Sequence, residues 1–204
     1  FTMKQITLLL AGLFFLYIAQ AQTSPIMVCN DSGTICNPYY NIDSAITYAS
    51  GGDYIYIPGG VYVLNSTINK ELHIFGAGMD DDSSIVTGHT TINGNVNLGA
   101  DASNTSIEGL YITGSINGVT SPSTQNLHIA HCNFYNINAN ITNSLIHACI
   151  LRTPSYGENN FYHGITNEIR NCYLRDVTQL HSSIVENCTG LQYANNVILC
   201  SFKN

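Results

Sequence analysis

The sequence predicts an all-β chain wound as a right-handed parallel β-helix, a solenoid closed at its N-terminal end by a short capping helix. Three observations carry this: a corner motif that returns along the chain, a composition with few charges, and one amphipathic segment ahead of the first strand.

The motif is an apolar residue, any residue, a corner residue, then another apolar or small residue. It reads Ile74-Phe75-Gly76-Ala77, Ile107-Glu108-Gly109-Leu110, Ile129-Ala130-His131-Cys132, Ile146-His147-Ala148-Cys149, Ile169-Arg170-Asn171-Cys172 and Val185-Glu186-Asn187-Cys188. Ile92-Asn93-Gly94-Asn95 is a weaker copy, and with it the mean interval is about 18 residues. Within a strand, residues i and i+3 point to opposite faces. Both face one interior only if the chain bends between them, and Gly and Asn tolerate the left-handed backbone such a bend needs. Stacked units give a solenoid with interior columns. One holds Ile107, Ile129, Ile146, Ile169 and Val185; the next holds Ala77, Leu110, Cys132, Cys149, Cys172 and Cys188.

That placement makes four cysteines small core residues. Their gaps of 17, 23 and 16 residues are coil lengths, unlike the short paired spacings of zinc sites. Cys200 has no assigned rung. Cys29 and Cys36, close together in a Gly/Ser/Asn-rich stretch, are the expected disulfide.

Ahead of the repeats, Ile42, Ala45, Ile46 and Ala49 fall at helical spacing and predict the cap. Tyr54-Ile55-Tyr56-Ile57 alternates as a strand, and Pro58-Gly59-Gly60 turns into Val61-Tyr62-Val63-Leu64. Residues 1–21 read as a signal peptide: Lys4, the apolar run Ile6 to Ile18, and Ala19-Gln20-Ala21, with cleavage near Ala21. Translation is expected from Met3, with Phe1 and Thr2 as upstream read-through. Residues 22–40 read as an N-terminal linker and 41–204 as the β-helix. The chain stops after an apolar run without a polar cap, so a C-terminal truncation is expected. The localisation implied is secreted or cell surface.

Charged residues are 9% of the chain, the net charge is −7, and there are 24 Asn. Six basic residues cannot make the basic stripe that nucleic acid requires, nor a polybasic lipid patch. No segment after the signal is a membrane span, and a monomer is expected. Sequons at Asn30, Asn65, Asn104, Asn140 and Asn187 are what an Asn- and Thr-rich chain produces by chance.

The run from Asp43 through Gly78, with Gly52-Asp53-Tyr54-Ile55-Tyr56-Ile57-Pro58-Gly59-Gly60-Val61-Tyr62 and Leu72-His73-Ile74-Phe75-Gly76-Ala77-Gly78, resembles the N-terminal cap and first coils of the pectate-lyase-like superfamily. The resemblance implies the fold. It does not imply one reaction, since the superfamily holds lyases, hydrolases, esterases, epimerases, tailspikes and adhesins. Its lyases carry calcium-binding acids and an Arg or Lys base; its hydrolases carry N-T-D, D-D and G-H-G motifs. Gly88-His89-Thr90 and Tyr162-His163-Gly164 each complete only part of the last. Asp80-Asp81-Asp82 is the one weak calcium candidate, and its simpler reading is a charged loop tip, because calcium needs six to eight oxygens. No cofactor is evident.

The candidate site is late in the chain. Glu168, Arg170, Arg175 and Asp176 fall within nine residues, and Arg152 follows the Cys149 rung. Stacking places Arg170 between His147 and Glu186. Such a column suits an acidic sugar, or an acid and base across a glycosidic bond; the favoured simpler reading is a surface ladder of opposite charges. Tyr54, Tyr56, Tyr62, Tyr111 and Tyr173 are expected to face outward, where rings stack on sugars. The function expected is a carbohydrate-related exported protein that binds or cleaves polysaccharide, with no active site identified. If it is an enzyme, it is a polysaccharide lyase or glycoside hydrolase; the alternative is a non-catalytic, adhesin-like structural module.

Overall fold

The computed structural model describes residues 24–80, 88–119, 122–138, 140–152, 159–160, 166–174, 177–181, 184–189, 197–198 and 201–203. The residues read as a signal peptide, and Cys200, lie outside them.

Parallel strands stack into a β-helix. The longest sheet has ten strands; its parallel part runs through Asp53–Tyr56, Leu72–Phe75, Ser106–Glu108, His128–Ala130, Leu145–His147, Glu168–Arg170, Ile184–Glu186 and Ser201–Lys203. The register aligns Ile55, Ile74, Ile107, Ile129, Ile146, Ile169 and Val185 in one column. All seven are buried, and each contributes roughly 1.5–3 kcal/mol of apolar burial.

Left-handed residues end these short strands. Gly109, His131, Ala148, Asn171 and Asn187 have φ between 49° and 69°. A second series precedes the strands: Asn104, Asn126, Asn143 and Thr166, with φ between 50° and 65°. The four strands from Ser106–Glu108 to Glu168–Arg170 are therefore bent at both ends, and the sequence reading found only the later bend. Gly76 stands at the same corner without a positive φ. There a Cβ would collide with the Gly109 carbonyl, Leu110 and Thr90 of the neighbouring coils.

After the corner the chain enters a second sheet, Gly60–Tyr62, Thr90–Ile92, Leu110–Ile112, Asn133–Phe134, Ile150–Leu151 and Tyr173–Leu174. A third, formed by Val96–Asn97, Ile116–Asn117 and Ile137–Asn138, completes the early coils. On its outer side the Asn138 amide donates to Asn117, and Asn117 to Asn97, each at 3.1 Å.

Two expectations about register are corrected. Ile92 lies in the second sheet, paired with Tyr62 and Ile112, so Ile92-Asn93-Gly94-Asn95 is not a rung of the corner motif. Ala77 is exposed, and Thr90 occupies the column before Leu110. Fully buried Thr90 satisfies its hydroxyl by accepting from Ala77 N at 2.8 Å and facing the Ile57 and Pro58 carbonyls at 3.1 Å. Cys132, Cys149 and Cys172 are buried and Cys188 half-buried, all as free thiols.

The N-terminal end is closed in two ways. Ile26–Cys29 and Cys36–Tyr39, in the stretch read as linker, pair as an antiparallel hairpin joined by a Cys29–Cys36 disulfide. Ile26–Cys29 also pairs with Asp53–Tyr56 and covers that edge, which would otherwise present unpaired backbone groups. Helix α1 (Ile42–Tyr48) turns Ile42, Ala45 and Ile46 onto the open core, with Ala49 also buried. Asn41 caps it by accepting from Ser44 N at 3.0 Å. Lys70 Nζ donates to the Ile46, Thr47 and Ala49 carbonyls at 3.2, 3.2 and 2.7 Å, closing the helix's C-terminal end. Beneath the helix the space enclosed by Ile46, Ile55, Leu64, Ile68 and Ile74 is only about 10 Å³, and it is lined entirely by aliphatic residues.

Candidate functional site

Alternation along the central strands sends two columns of side chains outward. At the N-terminal end they are aromatic. Tyr54 stacks on His73 at 4.7 Å between ring centroids, and Tyr56 on Phe75 at 5.5 Å. Tyr54 also lies nearly parallel to Phe75 at 6.2 Å. These four rings come from two adjacent coils in direct register. Tyr56 is 47% exposed, while Tyr54, His73 and Phe75 are half-buried.

Farther along the face the columns become polar. His131 Nδ1 approaches Glu108 Oε1 at 3.3 Å, and His131 and His147 meet edge to face at 5.8 Å. Asn171 Nδ2 lies 3.0 Å from His147 Nε2 on the next coil. Arg170 stands between His147 and Glu186 in the register, the neighbours that stacking implied. Its Nη2 pairs with Glu168 Oε2 at 2.8 Å. Its Nε lies 3.5 Å from Glu186 Oε2, close enough for charge attraction but not a hydrogen bond. One guanidinium is thus shared by two carboxylates and has no surplus charge for an anionic ligand. Arg175 and Asp176 lie outside the described residues.

A second cluster forms where the second sheet turns toward the third. Arg152 reaches back across two coils. Its Nη1 donates to the Tyr111 hydroxyl at 2.6 Å and its Nη2 to the Ile112 carbonyl at 2.8 Å. The guanidinium carbon lies 4.4 Å from the Tyr111 ring centroid and 4.8 Å from that of Tyr135, a favourable cation–π arrangement. His89 is tilted against Tyr111 at 5.4 Å. Beside these rings, Asn133 Oδ1 and Arg152 Nε are buried and make no hydrogen bond. An unmet buried donor or acceptor costs about 1–3 kcal/mol. Sequence reading named Arg152 and Tyr111 separately and missed Tyr135 and Asn133; two coils of variable length separate the partners.

The tyrosines divide. Tyr173 is 47% exposed and Tyr111 lines the cluster just described. Tyr62, expected outside, packs against the core in register with Ile92 and donates its hydroxyl to Pro58 O at 3.1 Å. The Pro58–Gly60 turn reverses the phase, leaving Val61 and Val63 exposed instead.

The thiol column is chemically quiet. Burial pushes the Cys132 thiol up to about 12. Hydrogen bonding with the Cys149 thiol, followed by burial, does the same for Cys172, also to about 12. Cys188 is raised by its hydrogen bond with Cys172 and by burial. Thiolates are the nucleophiles and metal ligands, so this column is core. Of the calcium candidates, Asp80 is exposed, while Asp81 and Asp82 lie outside the described residues. Among the described residues no three His, Cys, Asp or Glu side chains converge to hold a metal ion.

Comparison with models of protein families, with curated proteins and with solved structures finds no match to this chain.

Proposed function

We propose that this is an exported β-helix of the pectate-lyase-like type that binds a polysaccharide along the outer face of its central sheet. The observation that carries the reading is the cluster of Tyr54, His73, Tyr56 and Phe75, four rings in two stacked pairs on the outer face of the first two coils, with Tyr56 exposed and the others half-buried. Sugar rings present C–H faces that pack on aromatic surfaces, while the hydroxyl-rich edges suit an uncharged polar surround. Export rests on the signal-peptide pattern in residues 1–21.

Binding is favoured over cleavage by the state of the charged cluster. Glycoside hydrolysis needs one carboxylic acid to give a proton and a second to act on the opposite side of the sugar. Glu168 and Glu186 are both drawn to Arg170. A stalk-like module without a ligand is the competing reading, favoured by the charge-poor composition.

A polysaccharide panel immobilised on beads tests the proposal. The native chain is expected to be retained by at least one polymer, and Tyr54→Ala/Tyr56→Ala to be retained at least tenfold more weakly with little change in melting temperature. No retention by any polymer, or equal retention of the variant, overturns the reading.

A further inference from the structure

A nucleophile, a base and a carboxylate meet on the outer face of the central sheet, where the second coil pairs with the next. Glu71 and His73 are two residues apart and share the outward side of the strand. Ser106 lies directly opposite His73 on the neighbouring strand. Its hydroxyl is 2.8 Å from His73 Nδ1 and has no other partner among the described residues. Across the ring, His73 Nε2 stands 3.8 Å from Glu71 Oε1. Glu71 Oε2 in turn accepts from the Asn104 side-chain amide at 3.4 Å.

Each part is set by its neighbours. Tyr54, stacked on His73 at 4.7 Å, fixes the plane of the imidazole. When Nδ1 accepts the Ser106 hydroxyl, the ring hydrogen sits on Nε2, the nitrogen that faces Glu71. A hydroxyl within hydrogen-bond reach of a base, with a third group orienting that base, is the arrangement of serine acyl transfer. The 3.8 Å contact is longer than a hydrogen bond, and such contacts tighten when substrate is bound. The group is also accessible: Ser106 is half-buried, and the side chains of His73 and Glu71 are 23% and 41% exposed.

We propose that Ser106 and His73, with Glu71 as the positioning residue, form a hydrolytic site for esters of short, uncharged acyl groups. A half-buried hydroxyl on the open face of a sheet suits a short acyl group, with the alcohol part toward solvent. Glu71 on one strand and Glu108, two residues beyond Ser106, border the site and disfavour an anionic ester. Exposed His128, directly opposite Ser106 on the following strand, is the donor that the register places beside an oxyanion formed there. Ser106 Oγ attacks the ester carbonyl carbon as its proton passes to His73 Nδ1. The bond from carbonyl carbon to alcohol oxygen breaks, and the alcohol leaves with that proton. Water then attacks the acyl carbon and gives a proton to His73. The Ser106 oxygen departs, recovers the proton, and the carboxylic acid is released.

This activity goes beyond the polysaccharide reading and does not rest on it. The full native chain is treated with a fluorophosphonate probe and mapped by peptide mass, and its turnover of p-nitrophenyl acetate is followed by absorbance. Labelling is expected at Ser106, with hydrolysis that Ser106→Ala lowers about 100-fold or more. His73→Phe keeps a ring against Tyr54 but removes the base, and is expected to abolish the labelling. Glu71→Gln is expected to lower kcat about tenfold with KM unchanged, which a merely structural carboxylate would not do. Because the label is read on the native chain, the proposal stands or falls even if a variant does not fold. It is overturned by the absence of label at Ser106, by hydrolysis equal in Ser106→Ala, or by labelling that survives His73→Phe. Retention on polysaccharide beads is a separate readout, so either result can fail while the other holds.

Discussion

The carboxylate of Asp43, in the first turn of α1, accepts the Asn65 backbone N–H at 2.8 Å and so fastens the capping helix to the first coil. The same group accepts Ser66 N at 2.6 Å and the Asn65 side-chain amide at 3.0 Å. Burial alone would raise its pKa, but the hydrogen bonds from Asn65 and Ser66 outweigh burial and hold it below the ordinary 3.8. A depressed carboxylate stabilises the fold fully above its unfolded value, and the contribution disappears as pH falls through the folded one. Asp43→Asn is expected to cost about 1 kcal/mol at pH 7, reduced by its solvent exposure. In melting curves that is a loss of about 2–4 °C for a chain of this size, and the gap between variant and native should narrow as pH falls from the ordinary 3.8 through the lowered folded value.

Corner geometry gives a prediction of opposite sign at two sites. Ala148 holds a φ of 50°, a conformation a Cβ disfavours. Ala148→Gly is expected to raise stability by about 0.5–1 kcal/mol in urea unfolding. Gly109, at φ 69°, has the Gly76 carbonyl oxygen 2.9 Å from where a Cβ would stand. Gly109→Ala is expected to destabilise by at least about 1 kcal/mol. A loss at Ala148 or a gain at Gly109 would contradict the corner assignment.

Thiol labelling addresses the cysteine column. With Cys132 and Cys172 raised to about 12, both stay protonated at pH 8 and are shielded from reagent. Mass-mapped labelling with a maleimide is expected to leave Cys132, Cys149 and Cys172 unmodified in the native chain and to modify all three in guanidinium. Cys188, half-buried, should be the first of the four to react. Rapid native labelling of Cys132 would show that the column is not a closed interior.

The charge ladder is expected to matter little for stability. Arg170 and its two carboxylates are each more than 30% exposed. Arg170→Ala should therefore change the unfolding free energy by about 1 kcal/mol or less, read from denaturant midpoints at low salt and again in 0.5 M salt.

The corner motif was legible because a left-handed bend narrows residue choice to Gly, Asn and a few others, and because its inward neighbours are aliphatic. The second bend, at Asn104, Asn126 and Asn143, uses equally telling residues. It escaped because the strands before it, Thr124–Gln125 and Ile141–Thr142, are too short to show alternation. Ile92 was placed in the wrong sheet because its local pattern fits the motif, while its register is set by Tyr62 and Ile112, far away in sequence. The neighbours of Arg170 followed from stacking. Those of Arg152 did not, since Tyr111 is 41 residues earlier and the coils between differ in length.

The insertion between the second and third coils has a consequence for engineering. Thr90 N donates to Gly78 O at 3.1 Å, and Ala77 N donates to the Thr90 hydroxyl at 2.8 Å. Gly78 and Thr90 are therefore clasped together, while the coils on either side stack directly through Ile74 and Ile107. Foreign peptides spliced between Gly78 and Thr90 would leave the column untouched, because lengthening a segment whose two ends are already joined costs little, about 0.6 kcal/mol per doubling. The molecule thus offers a display position beside the stacked coils, independent of what their outer face binds.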